Sequence, residues 1–301
     1  MAGSNVFDPG HLFGHVQDAE HIEVSTKVVP SGKIILPQPL RLDEPLWTGK
    51  TGVVQIDKIN IFEPIELKFT KFMLLETIVA LLVAVVFIRL ANKMAHGDRP
   101  KGRLWNLLEA MVLYIRDDVA RPAIGDHDAD RFLPLLWTMF FFVLGCNLLG
   151  LVPWAGSATG SLATTGALAM ITFATVVGAG MAKMGVVGFF KSQVPHMDLP
   201  GPLAVLLVPM IFVIEMMGLL IKHFVLAVRL LANMMAGHLV LAVIVAFIAA
   251  SAGSMTFWCV MPASVLGATA LNLLELFVAF LQAYIFTFLS ALFIGMAVHP
   301  H

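Results

Sequence analysis

The chain has 301 residues, of which 58% are hydrophobic and only 13% charged, with a formal net charge of −1. Soluble globular domains carry about 25% charged residues, so this composition, with a mean hydropathy of +0.87, is that of an integral membrane protein. The near-neutral charge gives no support to a nucleic-acid partner.

Residues 1–60 form a polar N-terminal segment with Pro/Gly punctuation (VVPSGK) and alternating stretches such as Val53–Ile59. No basic stretch followed by a short apolar core begins it, so a cleavable secretory signal is not expected. His11, His15 and His21 match no established metal-ligand spacing and read as solvent-exposed histidines. The membrane domain occupies 61–301.

Its first span is expected over 72–90, long enough to cross the hydrocarbon core, with Glu76 near its beginning and Arg89 at its end. The following loop carries Lys93, Arg99, Lys101 and Arg103. Short basic loops stay in the cytoplasm, so the N-terminus is expected to be extracytoplasmic. Residues 103–119 read as an interfacial amphipathic helix, because Leu104, Leu107, Leu108, Met111, Val112 and Ile115 form one apolar stripe. A second span is expected over 132–153 and a third, rich in small residues that allow close helix approach, over 162–181. Lys183 and Lys191 after it suit a cytoplasmic loop. Cys146 and Cys259 lie far apart in apolar runs and read as small buried hydrophobes rather than a disulfide framework.

Two further helices, 202–250 and 262–298, are over-long. The first alone would extend about 70 Å against a hydrocarbon core of about 30 Å. It is therefore either two spans joined by a tight kink or one steeply tilted helix. The fold class is all-α and integral to the membrane, with about five embedded helices. No internal repeat or low-complexity tract is visible.

The long apolar segment 202–250 carries five ionisable groups: Glu215, Lys222, His223, Arg229 and His238. Insertion scales put a central arginine at about 2.5–3.5 kcal/mol unfavourable, so such groups mark ion pathways by default. Glu215, Lys222 and Arg229 are spaced seven apart and nearly share one helix face, which Asn233 extends. His238, nine residues beyond Arg229, points to the opposite side. On the last helix Glu275 and Gln282, again seven apart, share a face. Carboxylate, imidazole and amide groups can hold water and relay protons, whereas a guanidinium stays charged and acts as a fixed positive charge. Plainer roles stand beside these. Lys222 and His223 could snorkel to an interface, Glu215 could be a counter-charge to Lys222, and Gln282 could be an interhelical hydrogen-bonder.

At these residues the sequence resembles subunit a of the rotary F-type ATP synthase. The resemblance is carried by Arg229-Leu-Leu-Ala-Asn233-Met-Met-Ala-Gly237-His238-Leu and by Leu281-Gln282-Ala283-Tyr284-Ile285-Phe286. It also rests on Asn147-Leu-Leu-Gly-Leu-Val-Pro153 and on Glu215, fourteen residues before the arginine, and it covers about residues 60–298. It implies that the two long helices are a tilted hairpin against the c-ring. Arg229 would be the stator arginine that keeps the ring carboxylate ionised and separates two offset half-channels. Asn233, His238, Glu275 and Gln282 would line the outer half-channel, with Glu215 and Lys222 contributing on the cytoplasmic side. Some bacterial members place the acid after the Ala-Gly motif and the histidine on the last helix. Here the two are exchanged, which keeps a carboxylate facing an imidazole.

The implied partners are c-ring proteolipids, subunit b of the peripheral stalk and membrane lipids, in a cell (inner) membrane. No nucleic acid, metal, cofactor or small-molecule substrate beyond the translocated ion is expected, and no covalent catalysis in this chain. The choice of H⁺ or Na⁺ is set largely by ligands around the ring carboxylate, on another chain. A secondary transporter and a non-catalytic scaffold are the competing readings. The first is disfavoured by the lack of a repeat, the second by five ionisable groups in one apolar segment.

Overall fold

The computed structural model describes residues 21–23, 33–35, 70–95, 102–152, 158–193 and 201–299. Most of the polar N-terminal segment, the side chain of Lys93, and Arg99, Lys101 and Pro153 lie outside them, as does the alternating stretch 53–59. A short antiparallel hairpin pairs β1 (His21–Glu23) with β2 (Lys33–Ile35), His21 opposite Ile35. β2 begins at Lys33, the last residue of the Pro/Gly-punctuated VVPSGK, a stretch to which sequence reading assigned no strands.

Apart from short connections, the other described residues are helical. The first helix, α1 (Lys71–Ala95), is long enough to span at about 37 Å, and Thr70 Oγ1 accepts from the Met73 amide at its start. The interfacial helix α2 (Arg103–Tyr114) passes without a break into one π-helical turn, Ile115–Ala120, and then α3 (Arg121–Ile124). Of the apolar stripe, Leu108, Met111, Val112 and Ile115 pack on the core while Leu104 and Leu107 stay exposed. The wider turn brings Ile115, Val119 and Ala120 inward together and leaves Arg116, Asp117 and Asp118 outside. Asp117 accepts from both Arg116 and Arg121 at 2.9 Å. The hydrogen bond from Arg116 holds its carboxyl below the usual carboxylate range. A depressed carboxylate stabilises above its unfolded pKa and loses that contribution as pH falls through the folded one. In so exposed a group the contribution is small.

Gly125 turns the chain into α4 (Asp126–Gly150). This helix starts six residues before the expected 132. Asp126 and Asp128 occupy its first turn, where acids favour the dipole, and its charged start falls outside an apolar window. A one-turn 3₁₀ helix (Ala158–Gly160) leads to α5 (Leu162–Ser192), capped by Ser161. It continues eleven residues past the expected end at 181, because Gly185 (φ 77°, ψ 164°) redirects the axis without ending the hydrogen-bonded helix. After the kink Phe189 turns back to pack on Gly180 and becomes fully buried.

The over-long segment is one unbroken helix, α6 (Gly201–Ser251), about 76 Å long, in which Pro209 makes no break. A five-residue turn containing Gly253 joins it to α7 (Phe257–Val298). That helix begins five residues before the expected 262. Pro262, in the second turn of this helix, leaves the Trp258 carbonyl without its i+4 amide but does not end the helix. Five helices, α1, α4, α5, α6 and α7, are long and apolar enough to cross a membrane. α7 is the centre of the packing, touching α4, α5 and α6, with its buried residues running from Glu275 to Val298. Phe286 and Ile294 on α7 are fully buried with Leu136 and Val143 of α4 and Leu226 and Leu230 of α6. Cys146 is buried as expected. Cys259 is exposed, contrary to the sequence reading, because the start of α7 projects beyond its neighbours.

Candidate functional site

The polar residues of α6 divide between two faces of the helix. His223, Leu226, Ala227, Leu230 and Met234 are buried and form its core-facing stripe. Lys222, Arg229, Ala232 and Ala236 are exposed on the side turned away. Around them lie exposed apolar side chains, among them Val213, Ile214, Met217, Ile221 and Val225. Along this face Lys222 Nζ stands 4.0 Å from Glu215 Oε1, both side chains more than a third exposed, a loose pair of little net worth in water. Arg229 makes no hydrogen bond or ion pair with any described residue.

The opposite side meets α7. His238 Nδ1 lies 3.3 Å from Glu275 Oε1, and Glu275 is only 5% exposed. The contact depends on Gly237, since a Cβ there would collide with the Glu275 carboxylate. Glycine at this position is a space requirement rather than a conformational one. Gln282 is also buried, and three polar atoms in this region have no partner: Glu275 Oε2, Gln282 Nε2 and Asn233 Nδ2. A buried carboxylate oxygen and two amide nitrogens left open cost free energy unless water or a transferred ion meets them. Their chemistry, acceptor beside donors, suits a hydrated proton path.

His238 and Glu275 are thus brought together at the α6–α7 contact and Gln282 is buried on α7, while Asn233, expected to extend the face of Arg229, is part-buried with its Nδ2 enclosed. Arg229, Lys222 and Glu215 stay on the outward face, as the nine-residue offset implies. His223 does neither. Its Nδ1 lies 2.8 Å from the Leu219 carbonyl, and its ring sits between Phe173 and Phe293 at centroid distances of 5.2 and 5.1 Å. It is a core residue, and the snorkelling expected for it does not occur.

Sequence reasoning did not anticipate a second polar cluster on α4. Asn147 and Thr159 are both fully buried. Thr159 Oγ1 donates to Asn147 Oδ1 at 2.8 Å, and Asn147 Nδ2 donates to the Ala279 carbonyl at 3.3 Å. Ala279 lies one turn from Glu275. An amide inside an apolar run was the available signal, but its partners come from distant segments.

A family model described as ATP synthase A chain matches residues 73–295. The chain is 41% identical over 246 residues to ATP synthase subunit a of Myxococcus xanthus, covering 79% of this chain and 76% of that one. It is 40% identical over 250 residues to the same subunit of Chloroherpeton thalassium, covering 82% and 71%. With Anaeromyxobacter dehalogenans strain 2CP-1 the identity is 44% over 203 residues, covering 67% and 50%. The matched stretch holds all five spanning helices, the outward arginine and the His238–Glu275 contact, and the chain belongs to the ATP synthase A chain family, the subunit a proteins of ATP synthase.

Proposed function

We propose that this chain is the proton-conducting stator of a rotary F-type ATP synthase, carrying protons to and from a ring carboxylate through two offset half-channels separated by Arg229. The observation that carries the reading is the division of α6. A guanidinium unpaired among the described residues stands on an exposed apolar face, and a histidine–carboxylate pair, the histidine part-buried and the carboxylate buried, lies on the opposite side with open amide nitrogens.

A guanidinium within a spanning helix that finds no carboxylate among the described residues would take one from a neighbouring subunit. Facing a ring of proteolipid subunits, it would favour the ionised form of each carboxylate as it passes. It cannot itself carry a proton, so it blocks leakage between the two sides. His238 and Glu275, with Gln282 and Asn233 holding water, would deliver protons from the outer face. Glu215 and Lys222, on the arginine's own face, would serve release to the cytoplasm. All transfers are O–H and N–H exchanges, with no covalent intermediate in this chain.

Arg103, Arg116, Arg121 and the α5 residues Lys183 and Lys191, which lie on the helix rather than in the expected loop, would face the cytoplasm of a cell (inner) membrane, with the N-terminus outside. The c-ring, subunit b of the peripheral stalk and lipids would cover the exposed apolar faces.

The test is Arg229→Ala in the assembled complex. Proton-driven ATP synthesis should disappear while ATP hydrolysis by the soluble sector persists, uncoupled. Full synthesis by this variant would refute the assignment.

A further inference from the structure

Besides Glu215 and Glu275, a further carboxylate, Glu76, lies within a spanning helix, on α1 and outside the α6–α7 site. From Ile78 to Ile88 the helix is wholly apolar, and this acid stands before that run, near the helix's outer end. It is half-buried and accepts from Thr164 Oγ1, in the first turn of α5, at 2.5 Å. That is the short distance of a hydroxyl bound to a carboxylate. The nearby titratable groups are Cys146 on α4, whose thiol lies within electrostatic reach, and Lys71, five residues outward on α1.

Cys146 is followed directly by Asn147, which the 3₁₀ helix supports through Thr159 and which reaches α7 at Ala279. One turn along α7 to either side stand Glu275 and Gln282 with their open polar atoms. Polar groups from α1, the 3₁₀ helix, α4 and α5 therefore converge at one end of the bundle, between Glu76 and Glu275. The 3₁₀ helix touches both α1 and α4. Burying this many polar groups in an apolar layer is costly unless they serve one another or water.

Building on the stator reading, we propose that Glu76 is the proton-collecting acid of the outer half-channel. It takes protons from the external solution and passes them along water held by Asn147 and Thr159 to Glu275. At each transfer the carboxyl O–H of Glu76 breaks towards the water chain, and a proton from outside restores it. Thr164 is a positioning residue that fixes the carboxylate's orientation.

The experiment uses the complete ATP synthase in sealed vesicles, with the outer-face pH varied at constant proton-motive force. For Glu76→Gln, synthesis should fall about tenfold or more at alkaline outer pH, where proton capture limits the rate, and recover towards wild type in acid. Hydrolysis by the soluble sector should be unchanged. Wild-type rates at every pH would overturn the proposal. So would a uniform fall, which marks a merely structural acid.

If Glu76→Gln does not assemble, the equal-sized pair Glu76→Asp and Glu76→Asn decides. Asp should keep the wild-type profile and Asn the defect, and identical behaviour of the two overturns the proposal. Arg229→Ala measured alongside separates the two readings. Synthesis surviving in that variant sinks the stator assignment. Synthesis lost there, with Glu76→Gln like wild type, sinks only the role of Glu76.

Discussion

At the scale of single residues, the contact between His238 and Glu275 is made by three positions at once. Gly237 leaves room for the carboxylate, His238 faces Oε1 at 3.3 Å, and Glu275 is too buried to reach bulk water. If the pair is a proton relay, its chemistry needs one imidazole and one carboxylate but does not fix which helix carries which. The double variant His238→Glu with Glu275→His should therefore retain more proton-driven synthesis than either His238→Ala or Glu275→Ala. A double variant no better than either deletion would show that the two residues do not act as a pair. Periodicity made the opposed faces of Arg229 and His238 legible before any fold was known. It did not reveal that His223 would be enclosed by Phe173 and Phe293, since both rings come from other helices. Asn147 was legible as a motif residue, but its bonds to Thr159 and Ala279 were not. They span 12 and 132 residues of sequence, and no local pattern encodes them.

At the scale of elements, hydropathy located all five spanning helices and failed mainly at their ends. α4 begins with Asp126, His127 and Asp128, too polar for an apolar window but well suited to the first turn of a helix. α5 outruns its expected end because a glycine kink substitutes for a stop. Gly185 occupies a backbone region that other residues enter only at a cost of about 1–3 kcal/mol. Nothing lies within 4 Å of where its Cβ would be, so the cost of Gly185→Ala is conformational and not steric. That substitution should lower the melting temperature of the detergent-solubilised complex or straighten α5 and withdraw Phe189 from Gly180. Gly178→Ala is the control: the same helix, equally open space and ordinary helical geometry, where alanine should be neutral or slightly stabilising. Equal melting behaviour of the two variants would remove the kink from the account of this fold.

At the scale of the whole molecule, the most telling surface is one this chain cannot complete. α6 buries one stripe against α5 and α7 and leaves the other uncovered among the described residues. On that side Ala232 and Ala236 lie one and two turns beyond Arg229 and are exposed. Small residues there allow a second helix to come close enough for its carboxylate to meet the guanidinium. Bulk placed at these positions should hold the ring away. Ala232→Trp or Ala236→Trp should leave the subunit folded in the membrane but reduce the c-ring proteolipid retained on solubilisation, and proton-driven synthesis should fall with it. Val187→Trp supplies the comparison, because Val187 is 81% exposed on α5 beyond the kink, far along the chain from the arginine face. It should keep both ring and synthesis. If tryptophan at Ala232 and Ala236 proves as harmless as at Val187, the ring does not approach this face of α6. The unpaired charge of Arg229 would then need its carboxylate from another direction.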